Sequence, residues 1–208
     1  MSTEELDRAV RTVIRECMSI SPGEEVLIVC NPVTEEIGAL MRIEAQGDGA
    51  VATLAVMSER ESAAAEPPDV VAAAMAEADV VLAPTIQSIS HTAARRKASE
   101  GGVRIASLPG VTEEMLERLM TGDLDEIRRR GWALVSALNS GTEARITCPR
   151  GSDFRLGLDG RTGIADGGEL STRGAFGNLP CGEGFIAPVE GSCEGTLVVD
   201  GSDRKSVV

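Results

Sequence analysis

The order of hydrophobic segments predicts an α/β fold: a doubly wound, mostly parallel sheet followed by a β-rich α+β module. Two observations carry the first half. Short runs of β-branched and aliphatic residues alternate with stretches of helical periodicity up to residue 109, and a strand–helix alternation of this kind builds a parallel sheet with helices on both faces. A third carries the second half. From Thr142 onward helical periodicity stops, and short strand-like runs are separated by glycine-rich turns.

Thr3 followed by Glu4 and Glu5 reads as a helix start, after which Leu6, Val10, Val13, Ile14, Cys17 and Met18 share one face. The Pro-Gly turn in SPGEE ends that helix, and EVLIVC, residues 25–30, has the unbroken apolar character of a strand buried on both faces. Thr34 caps a second helix with Ile37, Leu40, Met41 and Ile43 inward, stopping at Gly47, and AVATLAV (50–56) is the second strand. Pro67 and Pro68 open a third helix through Val71, Ala74, Met75 and Ala78, and DVVLAP (79–84) is the third strand. HTAARRKASEGG is helical and leads to the fourth strand, VRIASLP, at 103–109. Residues 123–141 form one amphipathic helix carrying Leu124, Ile127, Leu134, Val135 and Leu138, with Gly131 a weak point in its middle. ARITCP, FRLGLDG and GTLVVDG are the later strand candidates, flanking a glycine-heavy run from Gly163 to Gly184. The composition shift places a domain boundary near Gly122, dividing the chain into a scaffold domain, 1–122, and a second domain, 123–208.

At 208 residues with 42% hydrophobic content the chain can bury a proper core. The aromatic share is 2%, so stacking on rings is nearly out of reach, and a net charge of −13 opposes phosphate binding. Nucleic acid and anionic membrane surfaces are therefore excluded as expected partners. Five cysteines, Cys17, Cys30, Cys148, Cys181 and Cys193, are widely spaced without a CxxC pair, which suits small buried thiols in a reducing cytoplasm rather than a zinc ribbon. No run approaches the roughly 18 to 20 apolar residues of a membrane span, so a soluble cytoplasmic protein is expected.

The chemistry is concentrated in NLPCGEGFIAP, residues 178–188. Glu183 stands there among glycines and apolar residues, where a carboxylate needs a cation or hydrogen bonds to meet its charge. Glu183 is accordingly the candidate metal ligand, although a solvated glutamate in a glycine-rich turn is the plainer account from spacing alone. No turn after a predicted strand carries a dinucleotide or P-loop glycine pattern, so the ends of the sheet near Asn31, Pro84 and Pro109 read as scaffold or as one wall of a cleft. The single histidine, His91, reads as a capping or packing residue. No catalytic residue is assigned.

Asn178, Pro180 and Glu183, with Phe185, Ala187 and Pro188 downstream, resemble the N-x-P-x-x-E stretch of the aminopeptidase T family of thermophilic metallopeptidases. SHTAARRKASEGGVRIASLPGVTEEM and GSDFRLGLDGR are similar to segments of that family's first and metal-binding domains. The resemblance implies a metal-dependent aminopeptidase acting on peptides, with a pair of divalent metals (zinc, cobalt or manganese) that polarise the carbonyl and activate water, and a homodimer. Of the family's ligands (two Glu, two His, a Tyr and an Asp) only the first maps onto this chain, at Glu183. The sequence has one His and no Tyr, so the expectation is an inactive N-terminal portion whose catalytic domain is incomplete. The ring-opening dihydroxypyridine dioxygenases, similar in fold but holding one non-haem iron, are the alternative. Gly182 leaves it open, since a second acidic residue often stands at that position in the peptidases. A non-enzymatic interaction fragment is the third reading. Asp153, Asp159, Asp166, Glu169, Glu190, Glu194 and Asp200 are further acidic candidates, each more simply read as surface solvation, with a hairpin able to bring Glu190 and Glu194 toward Glu183. Arg173 and Asn178 are candidates for orienting substrate, and Cys181 lacks a recognisable partner for a thiol mechanism.

Overall fold

The computed structural model describes residues 4–199, so Thr3 of the expected helix start, Asp200 and the cationic end of the chain lie outside the described residues. Helix α1 (Glu4–Arg11) runs into a wider-turned stretch, Thr12–Cys17, which closes with the Met18 N–H donating to the Val13 carbonyl at 3.0 Å. Then follow β1 (Glu25–Cys30), α2 (Glu35–Gly47), β2 (Val51–Val56), α3 (Asp69–Glu77), β3 (Val80–Ala83), α4 (Ala93–Gly101) and β4 (Arg104–Ser107). After these come α5 (Glu113–Leu119), α6 (Leu124–Ser140), β5 (Glu143–Thr147), β6 (Asp153–Gly157), β7 (Ile164–Asp166), β8 (Phe176–Asn178), β9 (Glu183–Phe185) and β10 (Glu194–Thr196).

Two units divide the chain. One comprises residues up to Asp125 together with Asp166–Gly182, the other Glu126–Ala165 together with the residues from Glu183 onward. The first is the expected doubly wound sheet, five-stranded in the order β2-β1-β3-β4-β8, every pair parallel. Its central strands are buried along their length because helices cover both faces, which is why Val26–Cys30 and Val80–Ala83 carry no polar side chains, while β4 buries Arg104 and Ser107 with Ile105 and Ala106. Leu27, Val29, Val81, Ala83 and Ile105 point to one face, where Val71 and Met75 of α3 and Ala98 of α4 pack on them. The fifth strand comes from late in the chain: Ile105, Ala106 and Ser107 pair with Phe176, Gly177 and Asn178.

The second unit contains most of α6, a three-stranded antiparallel sheet in the order β10-β6-β5, and the two-stranded sheet of β7 and β9. The β-rich part expected to follow the doubly wound sheet is therefore present. No described helix is long and apolar enough to cross a membrane.

Candidate functional site

Glu183 opens β9, and its position follows from the glycine after it. A side-chain carbon on Gly184 would lie 3.1 Å from the Gly131 carbonyl oxygen and 3.2 Å from both Leu134 Cδ2 and Val135 Cγ2, so β9 backs directly onto α6 at that residue. Alternation along a strand then turns Glu183 and Phe185 to the opposite face. Both are exposed there, Phe185 at 44%, as is Ile164 of β7 at 55%. Gly163 is fixed to the same helix, its N–H donating to Asn139 Oδ1 at 2.7 Å. The result is an exposed carboxylate on the face of β9 that also carries Phe185.

Glu194, Glu190 and Asp153 are placed or paired elsewhere. Glu194 lies on β10 opposite Arg155, in a different sheet, and Glu190 forms an ion pair with Arg161, so the turn between them does not bring the two to Glu183. Asp153 is held by a bidentate pair with Arg145 at 2.8 and 2.7 Å, which pulls its pKa down. Asp159 and Glu169 are exposed. Asp166 ends β7, and burial raises its pKa, which the Gly168 N–H partly offsets. Among the described residues no group of three or more His, Cys, Asp or Glu side chains could hold a metal ion. The residues described thus do not fit a complete metal centre. His91 sits in the turn before α4, exposed, and the cap is its neighbour Thr92, whose hydroxyl accepts from the Arg95 N–H at 3.2 Å. Arg173 donates to the Gly101 carbonyl at 3.0 Å, and Asn178 Oδ1 accepts from the Ser90 hydroxyl at 3.1 Å.

A doubly wound sheet ordinarily takes its ligand where strand order reverses, here between the carboxyl ends of β1 and β3. That crevice is filled by the chain's own polar groups. Asn31 donates from Nδ2 to the Met57 carbonyl at 3.0 Å and accepts at Oδ1 from the Ile86 N–H at 2.8 Å, while the Thr34 hydroxyl donates to the Pro84 carbonyl at 2.5 Å. Arg60, nine-tenths buried, donates to the carbonyls of Ala65 (2.6 Å), Ser88 (3.0 Å) and Gln87, and burial lowers its pKa against the pull of Glu66. Among the described residues, Arg60 Nε and, at the end of β4, Ser107 Oγ are buried without a hydrogen-bond partner. The scaffold reading of these strand ends rested on missing glycines. The lacing by Arg60, Thr34 and Ser90 was not foreseen, although small polar residues clustered after an apolar strand (TIQSISHT) are its signature.

Residues 5–206 match the family NicX: 2,5-dihydroxypyridine 5,6-dioxygenase. The chain belongs to that family. The 2,5-dihydroxypyridine dioxygenase of Pseudomonas putida KT2440 superposes with a TM-score of 0.75 at 20% identity, over 92% of this chain and 58% of the other. Wild-type AmpT of Thermus thermophilus superposes with a TM-score of 0.63 at 19% identity, over 92% of this chain and 63% of that one. At such identities the two likenesses establish the shared α/β fold alone. This member of the NicX family thus spans about three-fifths of the length of the solved structures it resembles. No curated protein matches it. The family match favours the dioxygenase alternative over the aminopeptidase expectation.

Proposed function

We propose that this chain is part of a ring-opening dioxygenase acting on a dihydroxypyridine or a closely related dihydroxylated heteroaromatic, with Glu183 as one ligand of its metal. The observation that supports the reading is the family match over residues 5–206, nearly the whole sequence. The metal in this reading is iron, which would supply the activation of oxygen; the remaining ligands come from outside residues 4–199. Glu183 is exposed beside Phe185 and Ile164 on β9 and β7, and a carboxylate presented from an apolar face suits covering by further polypeptide better than lasting contact with water. The first unit acts as scaffold, its usual ligand crevice being occupied by Asn31, Thr34 and Arg60.

The test is oxygen uptake with ferrous iron and 2,5-dihydroxypyridine, measured on the polypeptide that cells make from this sequence and recovered with an antibody against it. Hydrolysis of amino-acid anilides with zinc, cobalt or manganese is run beside it. Iron-dependent oxygen consumption that disappears in Glu183→Gln supports the proposal. Anilide hydrolysis without oxygen uptake would replace it with the peptidase reading.

A further inference from the structure

The NLPCGE segment carries a thiol that the proposed chemistry does not use. Gly168 is buried with φ +69°, and a side-chain carbon there would sit 2.5 Å from Cys181 Sγ and 3.4 Å from Cys17 Sγ. The two sulfurs therefore lie within 5.9 Å of each other, the sum of those distances, across the space that the missing side chain leaves. The backbone is pinned at the same place: the Leu170 N–H donates to the Cys17 carbonyl at 2.9 Å, and the Gly182 N–H donates to the Asp166 carbonyl at 2.9 Å. Cys17 is fully buried and Cys181 half-buried, and both belong to the first unit. None of the five cysteines is in a disulfide.

We propose that Cys181 and Cys17 form a peroxide-responsive thiol pair, Cys181 the residue that is oxidised and Cys17 the residue that resolves it. The proposal does not depend on the function assigned above. The Cys181 thiolate attacks one oxygen of hydrogen peroxide, the O–O bond breaks, and hydroxide leaves to give the sulfenic acid. The Cys17 thiol then attacks that sulfur, the S–O bond breaks, and water departs. In total two thiols and one peroxide give one disulfide and two waters. Access assigns the order, because peroxide reaches a half-buried sulfur before a fully buried one. A change of χ1 rotamer moves a cysteine sulfur by about 3 Å, a displacement on the scale of the gap to be closed. The bond would fasten residues 166–182, and with them the peptide that leads into Glu183, onto the end of the first helical segment.

The experiment treats the purified 208-residue chain with hydrogen peroxide, counts thiols, maps peptides without reduction and follows thermal unfolding. The expected result is loss of two of the five thiols, a peptide pair joining Cys17 to Cys181, and a Tm raised by about 5 to 15 °C for so long a closed loop. Dithiothreitol reverses all three. Cys181→Ser, at a half-buried position that tolerates the change, abolishes the crosslink and the gain in Tm. Cys17→Ser lets Cys181 accumulate as a sulfenic acid that dimedone captures; where that variant does not fold, the peptide map and Cys181→Ser still decide. A disulfide drawn from Cys148 or Cys193 instead, a Tm gain that survives in Cys181→Ser, or Cys181 taken to the sulfinic acid while Cys17 stays a thiol overturns the proposal.

Discussion

Arg104 offers the sharpest test of the energetics that hold the scaffold. Arg104 is buried at the start of β4, and its guanidinium donates from Nη2 to both Glu24 oxygens at 2.7 and 2.6 Å. Nη1 donates to the Met18 carbonyl at 2.8 Å and the Ser19 carbonyl at 3.4 Å, gripping a turn in which Ser19 has a φ of 50°. The two side chains are unequally buried, 10% exposed for Arg104 and 27% for Glu24. That inequality fixes the order of the losses. Arg104→Met leaves a carboxylate that can turn toward water and still accept from the Ser21 N–H at 2.8 Å, for a cost of about 2–3 kcal/mol. Glu24→Met leaves a cation with less access to water than the carboxylate has and also strips the Ser21 N–H of its acceptor, for about 3–4 kcal/mol. The double variant should cost less than the sum, with a coupling of about 1–3 kcal/mol. Urea unfolding at neutral pH, followed by a probe of the first unit and with unchanged m-values, measures all four corners of the cycle. Additive losses, or a Glu24→Met cost below that of Arg104→Met, would refute the argument that burial of the cation dominates.

Three further outcomes follow from local geometry. Glu66 accepts from the Ala93 and Ala94 N–H groups at 2.6 and 3.0 Å, a second cap on α4, and these bonds hold its pKa below the ordinary 4.5. Its contribution is present above that value and is lost as pH falls through the lowered folded one, so Glu66→Ala should cost about 0.5–1 kcal/mol at pH 7 and flatten the acid limb of a denaturation series. Gly131→Ala should stabilise the second unit by about 0.5–1 kcal/mol in chemical denaturation, because its new carbon meets nothing closer than the Glu183 carbonyl at 3.6 Å and the helix gains propensity. Gly184→Ala should instead destabilise the same unit by about 1 kcal/mol or more, its carbon being crowded at 3.1–3.2 Å by α6.

The central sheet is legible because buried parallel strands have a local signature. EVLIVC (25–30) coincides with β1, and the helix expected over 123–141 is found at Leu124–Ser140. The fifth strand carries no such mark. Phe176-Gly177-Asn178 is three residues long, and it becomes a strand only by pairing with Ile105–Ser107, some seventy positions earlier. Gly131, read as a weakness in its helix, remains one: β9 passes α6 at that level, but the crowding falls on Gly184 of the strand and leaves room for a side-chain carbon at Gly131. The inward-facing arginines escape a reading by hydropathy for a related reason: Arg60 and Arg104 look like surface residues until their carbonyl and carboxylate partners, brought from distant loops, are in place. Glu183 could be singled out from its setting, but its surroundings could not, because β7 and β9 are three-residue strands specified by tertiary contact alone.

A shared scaffold with divergent chemistry makes the placement of that one carboxylate more informative than the sheet beneath it. The same fold accommodates a dioxygenase and an aminopeptidase at TM-scores of 0.75 and 0.63, so neither strand order nor helix packing distinguishes ring opening from peptide hydrolysis. The crevice where a doubly wound sheet would ordinarily select its ligand is closed in this chain by the Thr34–Pro84 and Asn31–Ile86 hydrogen bonds, and opening it would leave buried polar groups without partners. Divergence therefore has its freest ground on the outward face of β9, where Gly184 turned toward α6 leaves Glu183 and Phe185 turned away from it. A substitution at Glu183 can change what that face binds without disturbing a core it does not enter. On the proposed reading of Glu183 as a metal ligand, Glu183→Gln should abolish iron-dependent oxygen uptake while leaving the unfolding curve unaltered, and an altered unfolding curve would refute this separation of scaffold from chemistry.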